Sequence, residues 1–290
     1  MTAKATEQPT RRTVTAAPRH PMAAQARPLI GRRLRRRFRV VVPPVMLAIV
    51  LIGGWQLYTA LGHPDPVLLP SPLRVLQQGW TNRSDLWTNA VPTIEETLLG
   101  FAVSITVGML LAALCDFSAS ARQAIEPFLV VSQTIPIIAI APLLVIWFGF
   151  GILPKVLVVT LVTFFPITVS LLQGFATTTT ASTHLLRSMG AGPVQRFVRL
   201  RVPTALPFFF AGLRISVTYA VVGAIFGEYV GSEDGLGIYM QVAKNSRQTD
   251  LVLDAVAVSA LISLALYVAV AVLERLLVPW QRRGTSGRRQ

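Results

Sequence analysis

Apolar runs separated by short polar stretches make up most of this chain, and the pattern predicts an all-α polytopic membrane protein. An α-helix needs about 20 mainly apolar residues to cross the hydrocarbon core of a bilayer. Six runs qualify, at about 41–61, 94–115, 124–148, 155–173, 205–227 and 251–278. Between the first two, Leu69-Pro70-Ser71-Pro72 opens a short helix, with Ser71 suited to the cap and Pro72 to the first turn. Leu73, Leu76 and Trp80 share one of its faces, so it is expected to rest on the membrane surface or on neighbouring helices. Thr93 and Glu96 have capping-box spacing and set the expected start of the second span. Within that span Gly100, Ser104, Gly108 and Ala112 recur every fourth residue, a spacing that lets another helix backbone come close.

The third run contains Pro127, Pro136 and Pro142, and Ser132, Gln133 and Thr134 lie in its middle. Prolines in a membrane helix free backbone carbonyls that only protein or cavity water can satisfy. Gln133 to Pro136 therefore reads either as the lining of a pathway or as a kinked helix packed wholly in protein. Thr163 and Tyr219, polar groups within the fourth and fifth runs, join Ser132, Gln133, Thr134 and Pro136 as pathway candidates. Such a set suits a small polar or aromatic solute.

Composition supports lipid as the main solvent. Hydrophobic residues make up 52% of the chain and charged ones 14%, against about a quarter charged in soluble domains. The net charge of +14 is concentrated at the start, where Lys4 and ten arginines precede Val40. The run Arg32, Arg33, Arg35, Arg36, Arg37, Arg39 abuts the first span, as cationic flanks that hold a helix end in the cytoplasm do. This reading is preferred to a nucleic-acid arm, so no nucleic-acid partner is expected. Residues 1–39 read as a disordered basic tail and 283–290 as a second one, around a permease domain at 40–282. No A-x-A cleavage pattern follows the first span, which is read as an uncleaved helix.

Six spans place both termini on one side. That side carries Arg122, Arg187, Arg196, Arg199, Arg201 and the arginines from Arg282 onward; the other holds Arg74, Arg83, Lys155, Lys244 and Arg247. The asymmetry predicts N-in and C-in topology in a bacterial cytoplasmic membrane.

Catalytic chemistry is not expected in this chain. It has no phosphate-binding G-x-x-x-x-G-K-[ST] loop and no Ser/His/Asp constellation. Its one cysteine is Cys115, and His20, His63 and His184 are scattered, so no metal site or cofactor is expected. Arg214, Glu228 and Asp254 are the ionisable groups nearest the span interiors, and each can be placed near an interface, which weakens ion-coupled transport.

The polar segment 177–203 reads as a helical hairpin. One short helix, capped by Ser182 or Thr183, stops at Gly190; another starts at Pro193 and runs to about Arg201. Leu185, Leu186 and Met189 give the first an apolar face, and Val194, Phe197 and Val198 the second. Such faces outside a membrane need a partner.

This segment resembles the EAA loop of binding-protein-dependent ABC importer permeases, whose pattern is E-A-A-x3-G-x9-I-x-L-P. Gly190 takes the glycine place and Leu200-Arg201-Val202-Pro203 the closing I-x-L-P at the same spacing, while His184-Leu185-Leu186 replaces E-A-A. Leu69-Pro70-Ser71-Pro72, the run from Gln133 to Gly151, and Gly235-Leu236-Gly237 are similar to the nitrate/sulfonate/taurine subgroup, which also includes importers of thiamine pyrimidine precursors and of riboflavin. The resemblance covers about Val41 to Arg282. It implies a type I importer fold and a pathway shared with a second permease copy. ATP and Mg would bind to partner ATPase subunits, and an extracytoplasmic solute-binding protein would deliver substrate. It also implies that His184, Leu185, Leu186, Met189, Gly190, Phe197, Leu200 and Pro203 form the ATPase coupling element. The competing classes are a secondary transporter or channel needing no ATPase, and a membrane scaffold or anchored enzyme.

Overall fold

The computed structural model describes residues 29–280, with side chains from Val42 onward. The tails at 1–28 and 281–290, including the expected basic C-terminal tail, lie outside the described residues. Among the described residues the fold is all helical. The helices are α1 (Leu29–Gly62), α2 (Pro72–Thr81), α3 (Arg83–Phe117), α4 (Ala119–Ser132), α5 (Ile137–Phe148), α6 (Ile152–Ala176), α7 (Thr180–Ser188), α8 (Pro193–Arg196), α9 (Val202–Gly231), α10 (Leu236–Asn245) and α11 (Thr249–Leu277). A π turn, Phe197–Arg201, joins α8 to α9. Five helical stretches are long and apolar enough to cross a membrane, and α4 with α5 makes a sixth if the bent pair counts as one span.

The chain divides into two compact units at Gly53/Gly54. α1 begins at Leu29, ahead of the basic run, and its apolar stretch Val42–Gly62 coincides with the expected first span. Arginine is a good helix former, so a basic run need not delay the helix.

In the second unit α6 is the central helix, packed between α3 and α9. Its buried residues Val158, Val159, Thr163, Phe164, Ile167 and Thr168 leave little of its middle open. Both neighbours approach through small residues. The stripe Gly100, Ser104, Gly108 and Ala112 on α3 is buried, and a Cβ added to Gly100 would collide with Val159. On α9, a Cβ at Gly212 would lie 2.8 Å from the Pro166 carbonyl. At such range hydroxyls bond between helices. Ser104 and Thr163 share a 2.6 Å hydrogen bond, Ser216 donates to the Thr163 carbonyl at 2.7 Å, and Thr160 donates to the Gly100 carbonyl at 3.2 Å.

Three elements depart from the pattern reading. Thr93 and Glu96 do not start a helix. α3 begins ten residues earlier, at Arg83, and both side chains are buried in its interior. The third run is no single straight helix either, because α4 and α5 meet at 103° across residues 133–136. Pro136 has no N–H to continue the ladder and biases Ile135 away from helical backbone. α10, finally, is a helix between the fifth and sixth apolar runs, where the pattern places none.

Candidate functional site: a cleft, an apolar hairpin and a buried polar cluster

The bend between α4 and α5 opens a cleft of about 760 Å³ against α6 and α9. Ser132, Gln133 and Pro136 from the bend, Ser170 and Gln173 from α6 and Tyr219 from α9 line it. Phe128, Phe164 and Phe165 add aromatic surface. Among the described residues, no charged side chain lines it. Ser132 satisfies its hydroxyl within α4, donating to the Leu129 carbonyl at 2.8 Å, whereas the Gln133 side chain is exposed. The structure thus brings four of the six pathway candidates together. Thr134 is exposed outside the lining, its hydroxyl donating to the Val131 carbonyl at 2.8 Å. Thr163 is fully buried in the contact between α3 and α6, where a polar residue in mid-span serves packing.

The hairpin lies at the opposite end of α9 from α10. α7 is capped by Thr179, whose hydroxyl accepts from the Ser182 N–H at 3.3 Å, so neither Ser182 nor Thr183 is the cap. It ends in a Schellman motif: Ala191 N–H donates to the Leu186 carbonyl at 2.9 Å and Gly190 N–H to the Arg187 carbonyl at 3.0 Å. Gly190 supplies the required left-handed backbone at φ +81°. Leu185, Met189, Val194 and Val198 are each more than half exposed, forming an apolar surface on both limbs. His184 is exposed too, and Leu186 is half-buried.

Phe197, Leu200 and Pro203 are not part of that open surface. The Phe197 ring sits between Phe117, at 4.8 Å, and Phe175, at 5.5 Å. Leu200 is half-buried in the π turn, and Pro203 is half-buried in the first turn of α9. The second limb was expected to stop near Arg201 ahead of a span starting at Ala205. Instead, helix continues from Pro193 to Gly231. A π turn is wider than an α turn, and here it precedes the proline ring that would otherwise crowd the preceding carbonyls.

At the α10 end lies a buried polar cluster that sequence reasoning missed. Lys155 donates to Glu96 at 2.6 Å and to Ser232 at 2.5 Å, with the side chains of Lys155 and Glu96 only 10% and 3% exposed. Beside it, Thr93 donates to Glu228 at 2.6 Å and accepts from the Leu236 N–H at 2.9 Å. Glu228 also accepts from the Gly237 N–H. Gly235-Leu236-Gly237 thus forms a backbone socket for the Glu228 carboxylate, and a Cβ at Gly237 would lie 2.6 Å from the Ile225 carbonyl. The available signal was Glu96 itself, a carboxylate in an apolar stretch, which a local cap pattern explained away.

Comparison with known proteins places this architecture. Residues 104–283 match the family of binding-protein-dependent transport system inner membrane components. A probable ABC transporter permease protein of Haemophilus influenzae is 38% identical over 79% of this chain and 94% of its own length. The formylaminopyrimidine transport permease protein of Halalkalibacterium halodurans is 36% identical over 86% of this chain and 99% of its own. A chain from the crystal structure of an amino acid ABC transporter with histidines shares the fold at TM-score 0.57 and 13% identity, over 69% of this chain and 97% of that one. These matches favour the ATP-driven class over a secondary transporter, a channel or an enzyme. With its spanning helices, its hairpin and these relatives, the chain belongs to the binding-protein-dependent ABC transporter permeases, multi-pass subunits of importers whose ATPase is a separate protein.

Proposed function

We propose that this permease imports an uncharged, flat nitrogen heterocycle, of the kind found in vitamin precursors, through the cleft at the α4–α5 bend. The observation that carries this reading is the cleft's lining: two carboxamides, two serine hydroxyls and aromatic rings among aliphatic side chains, with no cation among the described residues. A carboxamide both donates and accepts, as the edge of a heterocycle does, and aromatic faces suit its ring. A nitrate, sulfonate or taurine headgroup would enter without a compensating charge, and desolvating an ion costs on the order of several kcal/mol. The formylaminopyrimidine relative supports the same class. Uptake of labelled formylaminopyrimidine, riboflavin and taurine by cells carrying the whole importer tests it; preferential uptake of taurine would sink the proposal. Gln133→Leu is expected to lower uptake about ten-fold while leaving the ATPase copurifying, because the exchange removes polar contacts with the solute and not the fold. Wild-type uptake at equal expression would assign Gln133 to packing.

In this reading the permease acts as two copies in the lipid bilayer, the open apolar hairpin docks on the ATPase that binds ATP and Mg, and a solute-binding protein delivers from outside. The Arg distribution supports hairpin, N-terminus and C-terminus in the cytoplasm and the α10 end outside. Cysteine substitutions of Ser182 and Gly284 are expected to react only with reagent on the cytoplasmic side, and one of Glu233 only from outside. Outside reaction at Ser182 would overturn the orientation.

A further inference from the structure

The last two residues of α3 both hold the π turn, one at each end. Phe117 packs its ring on Phe197, the turn's first residue, and Asp116 pairs with Arg201, its last. Positions four apart lie on one face of a helix, so this is a two-point grip on a single side. The Asp116 side chain is 8% exposed and that of Arg201 33%. Of the other charged side chains of this region, Arg122 pairs with Glu126 at 2.6 Å and Arg214 with Glu274 at 2.9 Å, Arg199 is exposed, and Arg196 is half-buried with its Nε unpartnered. Among the described residues Arg201 is the partner of Asp116.

A π turn is a local defect in the helix ladder and a common place for a helix to bend. Here it joins α8 to α9 and carries Val198, the last residue of the hairpin's exposed apolar surface. A push on the hairpin would be absorbed as bending there unless something outside the helix held the turn. We propose that the Asp116–Arg201 pair, with the Phe117–Phe197 contact, is that brace: it positions the coupling hairpin on the membrane helices so that movement of the ATPase reaches α3 and α9 together. This rests on the reading of the hairpin as the ATPase dock, and it assigns Asp116 and Arg201 a positioning role apart from docking. A buried ion pair adds little net stability compared with apolar residues, but it fixes direction, which suits a brace.

The test uses the full permease copurified with its ATPase and a fluorescent label on Glu233→Cys, Cys115 being buried. The readout is the change in label signal on adding Mg-ATP. Asp116→Asn and Arg201→Gln are each expected to cut that change about five-fold, while bound ATPase and its basal hydrolysis stay within about two-fold of the parent. The exchanged pair, Asp116→Arg with Arg201→Asp, is expected to restore more than about half of it, as expected when the two side chains are coupled to each other. An unchanged signal in both single variants overturns the brace. So does loss of the bound ATPase in them, or failure of the exchange to restore the signal, since either marks a purely structural pair. A parental complex whose label ignores Mg-ATP defeats the coupling reading itself, whatever the single variants do.

Discussion

Leu185→Asp is expected to abolish ATP-driven uptake and to release the copurifying ATPase, with permease insertion unchanged. Leu185 is 63% exposed on α7, so a carboxylate there meets no internal neighbour and leaves the fold alone. At an apolar dock the same carboxylate must be desolvated without a partner, which costs several kcal/mol and about three orders of magnitude in affinity. Gly190→Val reaches the same loss by another route. A Cβ at Gly190 has open space around it, so the cost is purely conformational: a β-branched residue held at φ +81° is strained by about 1–3 kcal/mol. The strain would be relieved by re-aiming the two limbs. Gly190→Asn, which tolerates left-handed backbone, is expected to be milder, as is Arg187→Ala. The measurement is uptake and pull-down at matched permease levels. Full uptake with both Leu185→Asp and Gly190→Val would remove the case for this hairpin as the coupling element.

The second large effect is expected at the α10 end. Lys155→Met leaves the Glu96 carboxylate buried without its cation and removes the bond to Ser232, at a cost of about 3–5 kcal/mol. It should appear as lower yield and a lower melting temperature in detergent. Adding Glu96→Gln removes the stranded charge and is expected to return most of the stability, because the penalty lies in the unpaired ion and not in the missing attraction. If the single variant melts like the parent, the pair contributes nothing and the cluster does not hold the helices. If the double variant is no better than the single, the loss comes from packing of the lysine stem against Gly227.

The contrast between these two sites shows which parts of the molecule could be read in advance. The hairpin's stop at Gly190 is local: glycine, spacing and flanking apolar residues lie within a dozen positions, and the backbone does what they require. The spans were legible for a similar reason, since lipid demands apolar side chains along a whole helix whatever it packs against. Lys155 and Glu96 are 59 residues apart, and no local pattern joins them. Worse, Thr93 and Glu96 imitate a capping box, while in the fold their side chains are committed to Glu228 and Lys155. Pro136 was visible as a breaker, but the 103° bend depends on what α5 packs against. Pro203 was read as the end of the polar segment 177–203 and instead lies within a continuous helix, because a π turn just before it makes room.

That continuity sets the scale of the movement such an importer can make. From Pro193 to Gly231 the helix has 39 residues, about 58 Å at 1.5 Å per residue and nearly twice the hydrocarbon thickness of a bilayer. With the π turn held by the proposed brace, it would act as a lever with its handle in the hairpin. A tilt of about 5° at that end would carry the far end, with Glu228 and its glycine socket, by about 5 Å, wider than an aromatic ring is thick. Because Gly212, Gly223 and Gly227 hold α9 against Pro166, Val159 and Lys155 of α6, such a tilt has to carry α6 with it, and the two helices would swing as one body.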